Sequence, residues 1–186
     1  MRLVRRPWIW IARFRKRRGY GVHSPFAYAF LRGVVFEREA YYAYDDLNRL
    51  HPWWIRWSQA YPLLCRRLLF RLANFTHPRT LVLMGDRPVE RAYLEAAVPS
   101  ARWTRLTDGI ADFIFVAHEE LPNITLPQMP PSGMVVAEGI HHDKASQRIW
   151  KALQSNPQTV LTFDLYDYGI ILFNSNYPKR HYIVNF

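Results

Sequence analysis

The chain has 186 residues, 49% of them apolar and 16% aromatic, which suits one compact domain with some N-terminal elaboration and excludes global disorder. Its net charge of +10 is concentrated in residues 1–18, where Arg2, Arg5, Arg6, Arg13, Arg15, Lys16, Arg17 and Arg18 stand with no acid, while the remainder is close to neutral. The single cysteine, Cys65, excludes an internal disulfide and a Cys/His zinc spacing, and no apolar run approaches the roughly 20 residues of a membrane-spanning helix.

The arm, RLVRRPWIWIARFRKRR, predicts an amphipathic helix from Pro7, a residue tolerated in a first helical turn. Val4, Trp8, Ile11 and Arg15 share one face, with Trp10 and Phe14 beside it. Trp8–Ala12 is too short for a signal peptide, and none is expected. Three roles fit the arm: packing on the body, lying in a membrane interface, or contacting nucleic-acid phosphate.

Residues 18–28 read RGYGVHSPFAY. Ser24 is placed to cap a helix whose first position is Pro25, with Phe26, Phe30 and Val34 on one side. His23 is expected to be a partly buried residue fixing the chain entry, with a ligand or base as the alternative. Tyr41, Tyr42 and Tyr44 precede Asp45-Asp46, expected to cap a second helix. Leu47–Trp57 is interrupted by Pro52. Tyr61–Phe75 predicts a strong helix, with Leu64, Leu68, Phe70–Leu72 and Phe75 supplying a broad apolar face and Arg66, Arg67 and Arg71 largely off it.

From Arg79 the pattern changes. Strands are predicted at 80–86, 101–107, 111–117, 134–137, 158–165, 169–173 and 181–186, with helices at 89–98 and 143–153 and a Pro-rich loop over 121–132. Strands alternating with helices imply a mostly parallel sheet with helices on both faces. The strands at 158–165 and 169–173 are expected to form an antiparallel pair.

Two segments carry a family resemblance: RGYGVHSPFAY, and the C-terminal IWKALQSNPQTVLTFDLYDYGIILF. Both resemble a bacterial family of class I S-adenosylmethionine-dependent methyltransferase-like proteins, over roughly residues 13–186. The resemblance implies a reduced doubly wound, Rossmann-like α/β fold with a C-terminal antiparallel strand pair and a helical N-terminal extension. The expected organisation is a basic arm (1–18), a helical region (19–77) and a methyltransferase-like domain (78–186) forming one compact unit with that region.

The same resemblance locates candidate site residues and their losses. After the first strand the family pattern is similar to hydrophobic-Glu-hydrophobic-Gly-x-x-x-Gly-x-Ser; here Leu83 replaces the acid, Gly85 keeps the first glycine, and Pro88 or Val89 replaces the second. Gly85, Asp86, Asp108 and Asp112 are the candidate cofactor-binding residues, with Asp108-Gly109 as a tight turn the alternative. About three residues join Thr107 to Ala111, where the family pattern has a helix, a strand and another helix. The aspartate that ends the next family strand is Ala117, and the following "V-x-D-D-I-H" reads Val136-Ala137-Glu138-Gly139-Ile140-His141. Glu138 and His141 are the candidate catalytic residues, with His118, Glu119 and His142 nearby and surface-loop polarity the alternative. No metal site is expected.

The expected function is accordingly a scaffold with lost or weak S-adenosylmethionine binding and a binding or assembly role; the expected cofactor is none. The alternatives are an active methyltransferase on a small hydroxyl or amino substrate, and a module that binds an anionic surface (nucleic acid or membrane lipid) through the arm. A homodimer through an exposed Trp103 edge strand is a further expectation. The expected location is cytoplasmic, with peripheral membrane association as the alternative.

Overall fold

The computed structural model describes residues 24–58, 61–109 and 111–186, so the expected arm helix and the role of His23 lie outside the described residues. Strands β1 (Thr80–Met84), β2 (Arg102–Trp103), β3 (Phe113–Val116), β4 (Met134–Glu138), β5 (Leu161–Asp164), β6 (Tyr168–Leu172) and β7 (Arg180–Ile183) form one sheet in the order β2-β1-β3-β4-β6-β5-β7. Only β6 runs against its neighbours. The helices are α1 (Pro25–Phe30), α2 (Tyr44–Asn48), α3 (Trp53–Ser58), α4 (Tyr61–Thr76), α5 (Pro88–Ala97) and α6 (Lys144–Ser155).

The sheet is mostly parallel and covered on both faces. Side chains alternate across a strand, so β3 sends Phe113 and Phe115 to one side and Ile114 and Val116 to the other. The first side packs on Phe30 of α1 and on Leu68, Leu69 and Leu72 of α4; the second packs on Trp150 and Leu153 of α6. The helical region and the strands therefore share one core.

Local chemistry explains the helix ends. The Ser24 hydroxyl accepts the Ala27 N–H at 3.3 Å, with Pro25 at the first position. Asp143 caps α6 by accepting the Ser146 N–H at 2.7 Å. After Phe30 the chain widens into a π-helical turn, Leu31–Val35, where the Phe36 N–H reaches the Leu31 carbonyl. This turn leaves carbonyls facing the core. Arg71 reaches across from α4 and donates to the Val34 carbonyl at 2.7 Å and the Val35 carbonyl at 3.0 Å.

A third cluster lies under α2, α3 and α5, built on Tyr44, Leu47, Ile55, Leu63, Phe70 and Tyr93. His51, buried, is its polar pin. Its Nδ1 faces the Arg66 guanidinium at 3.1 Å, so it accepts, which leaves Nε2–H to face the Tyr93 hydroxyl at 2.9 Å. Arg66 also pairs with buried Glu90 at 2.9 Å. Burial pushes the Tyr93 phenol up to about 12.

Several expectations are corrected. Arg71 does not lie off the apolar face; it is buried, because the π turn's carbonyls need a donor. Leu64 and Phe75, expected in the face of α4, are instead exposed. Asp45 and Asp46 do not cap α2; they sit in its first turn, two and three residues past the cap, which is Ala43. The strand expected at 101–107 is only two residues long. The Asp108 carboxylate accepts the Arg105 N–H and the Thr104 hydroxyl and folds the chain into a 3-10 turn, Leu106–Asp108. Residues 158–160 precede β5 because Asn156 accepts the Gln158 and Thr159 amides in a turn. The last strand ends at Ile183 rather than Phe186. The antiparallel β5–β6 pair forms as expected.

Replacing Arg71 with Leu should cost about 2–4 kcal/mol, since two core carbonyls lose their donor; urea unfolding measures it. A pH-dependent contribution comes from His181, whose Nδ1 meets the Thr162 hydroxyl at 2.9 Å. Burial, and then Lys179, hold its pKa below the usual value. The unfolded chain thus takes up this proton first as the pH falls, so stability contributed above about pH 6.5 is lost as the pH drops through the folded value. His181→Gln should flatten the loss in urea titrations between about pH 5 and pH 7.

Candidate functional site

In an open α/β sheet, ligands sit beyond the carboxyl ends of the strands. Here those ends are Met84 of β1, Val116 of β3 and Glu138 of β4. The turn after β1 passes through Gly85 at φ +101°, and a Cβ built there would stand 2.6 Å from the Cβ of Ala117. The turn therefore lies directly on the end of β3. Only glycine allows both that contact and that φ.

This close approach brings Arg87 to the carboxyl ends of the strands, where an open α/β sheet has its crevice. Its guanidinium donates to both oxygens of Glu119, at 2.7 and 2.6 Å, and to Glu138 Oε2 at 3.3 Å from Nε and 3.1 Å from a terminal nitrogen. The His118 N–H also donates to Glu138 Oε2, at 3.3 Å. Planar guanidinium matches a carboxylate in two parallel bonds, so one cation is shared by two acids from different strand ends. Burial opposes the Arg87 charge, but Glu119 and Glu138 outweigh it and raise its pKa. A backbone N–H bond, and then Arg87, hold the Glu119 carboxyl below the usual range.

A second group lies beside the first. His141 Nε2 is 2.6 Å from Asp164 Oδ2, and Asp164 is buried. The other Asp164 oxygen accepts the Tyr166 N–H at 2.9 Å. Tyr166 takes φ +77°, rare for a side chain of this size, and its ring lies flat on the His141 ring at 5.1 Å. The His118 and His142 rings also meet, with centroids 3.9 Å apart.

The predicted site residues divide accordingly. Gly85, Glu138, His118, Glu119, His141 and His142 gather at the carboxyl ends of the strands, and Asp86 is exposed in the turn after Gly85. Asp112 lies at the opposite end of the sheet: its carboxylate accepts the Arg79 and Thr80 amides at the start of β1. Asp108 spends its oxygens on its own turn, which holds its pKa low, first through the Arg105 amide. Glu138 and His141 are engaged separately, by Arg87 and by Asp164. Asp164 and Tyr166 join the site; the available signal in the sequence is an acid at the end of the strand Leu161-Thr162-Phe163-Asp164. Among the described residues, no group of three or more His, Cys, Asp or Glu is placed to hold a metal ion. No protein-family model and no curated protein matches the chain.

The Gly85 contact is testable. Gly85→Ala should cost about 2 kcal/mol or more, since it adds a clash to a left-handed strain. Gly109→Ala, at φ +76° with nothing within 4 Å of the new Cβ, should cost only about 1 kcal/mol. Thermal melting of both variants reads the difference.

Proposed function

We propose that this chain is a methyltransferase-like scaffold that acts by binding or assembly and does not use S-adenosylmethionine. Support for the scaffold comes from a parallel set of β1 to β4 followed by a reversed β6 inserted between β4 and β5. That arrangement suits the family-like C-terminal strand pair noted in the sequence.

Support for the loss of the cofactor comes from the residues where a nucleoside would rest. Gly85 lies against Ala117, which takes up the space a side chain would need. No carboxylate replaces the family acid at Leu83. Asp108, one of the candidate cofactor-binding residues, is taken by its own turn. These residues do not fit the cofactor.

The observation that carries the proposal is the Arg87 guanidinium, held across the crevice by Glu119 and Glu138. An incoming ligand would have to break a bidentate ion pair and leave two carboxylates facing each other. The alternative of a working transferase needs Asp112 beside Gly85, and Asp112 is engaged at the amino end of β1. Calorimetric titration of the full chain with S-adenosylmethionine should show no binding heat up to about 1 mM ligand; a dissociation constant near 1 μM would overturn the proposal.

A further inference from the structure

Helix α6 presents a basic face to solvent. Lys144, Arg148 and Lys151 recur at i, i+4 and i+7, so they share one side of the helix. All three are exposed, while Ser146, Trp150 and Leu153 are buried on the other side. Lys179 extends the row: its ammonium donates at 2.9 Å to the carbonyl of Asn156, the residue that closes α6. Among the described residues none of these four cations forms a salt bridge. Residues 144–163 and 168–186 contain no Asp or Glu. Asp143 caps the helix, and the turn His118–Asn123, which packs on α6, carries Glu119 and Glu120, held by Arg87 and Asn123. A solvated helix face ordinarily mixes signs, because opposite charges at i, i+4 support one another and like charges repel. Lys144 and Arg148 stand in the repelling arrangement, and Lys144 opens the helix, where the dipole disfavours a cation. The face works against the helix that carries it, so its use lies outside the fold.

We infer that this face of α6 binds the phosphate backbone of a nucleic-acid duplex. The 12 residues of α6 span about 18 Å. A duplex presents about ten phosphates over that length, enough for every cation to meet one. Lysine and arginine release the counterions of the phosphates they neutralise, and such contacts position a protein without reading sequence. The other anionic partners fit less well. A bilayer asks for apolar groups beside the cations, and the only apolar side chains exposed on α6 are those of Ala145 and Ala152. A single strand is held by stacking on aromatic rings, and the one aromatic residue of α6, Trp150, is buried. A second copy of the chain would bring like charge to the same face.

This inference rests neither on the reading of the strand ends nor on the cofactor titration. Full-length protein is titrated into labelled duplexes of about 20 base pairs, two DNA duplexes of unrelated sequence and one RNA duplex, between about 50 and 200 mM salt, with fluorescence anisotropy as the readout. The cations of residues 1–18 are common to every variant, so differences between variants report α6. Arg148→Gln and Lys151→Gln should each reduce the slope of log affinity against log salt by about 0.9 and weaken both DNA sequences alike, with unchanged melting temperatures. Arg148→Lys should keep the slope. Arg102→Gln, at an exposed cation of the edge strand β2, should leave it unchanged. Binding to either the DNA or the RNA duplex that depends on α6 supports the inference, and the tighter of the two identifies the source. Absence of duplex binding, or a slope that both α6 substitutions leave in place, would overturn it. So would a loss confined to one DNA sequence, or α6-dependent binding to anionic vesicles or polyglutamate in place of the duplexes.

Discussion

The crevice is organised by the contact between Gly85 and Ala117. Because neither residue carries bulk, the turn after β1 rests on the end of β3. That placement puts Arg87 between Glu119 and Glu138 and fixes the start of α5 beside it. A larger side chain at either position would lift the turn and pull the guanidinium from one acid or both. The electrostatics of the strand ends are therefore a consequence of a steric fact. Two carboxylates near one another are costly unless a cation is shared between them, and the fold supplies that cation internally.

The neighbouring His141–Asp164 pair works by a different logic. Asp164 ends β5, and His141 follows β4, so their bond ties two loops across the antiparallel β6. Tyr166 accepts an uncommon backbone conformation to close the β5–β6 turn, and the Asp164 carboxylate secures it through the Tyr166 amide. The two groups together join the ends of β3, β4 and β5 through side chains and the His118 and Tyr166 amides.

Much of the fold is legible in the sequence because β1, β3 and β4 are covered on both sides and read as near-continuous apolar runs. The Ser24-Pro25 and Asp143 helix starts are legible because capping is local. Long-range partners are not. Nothing in the run Leu68–Leu72 distinguishes Arg71 from a solvated cation, since its acceptors belong to a turn more than thirty residues earlier. The site shows the same division. Gly85, Glu138 and His141 follow strands and so fall at carboxyl ends, while Asp112 precedes one and so falls at an amino end; that distinction was available from order alone. The Arg87 fork was not, because it depends on where three separate loops converge.

The shared core also bears on how the chain is made. Phe30, in the first described helix, packs at 4.9 Å on Phe163, in a strand near the C-terminus, and Phe26 stacks on Tyr177 at 4.4 Å. During synthesis α1 and α4 emerge with apolar faces whose covering strands have not yet been translated. Long-range contacts of this kind close late and leave sticky surface uncovered meanwhile. The apolar faces of the helical region therefore stay uncovered until β5 and β6 are made.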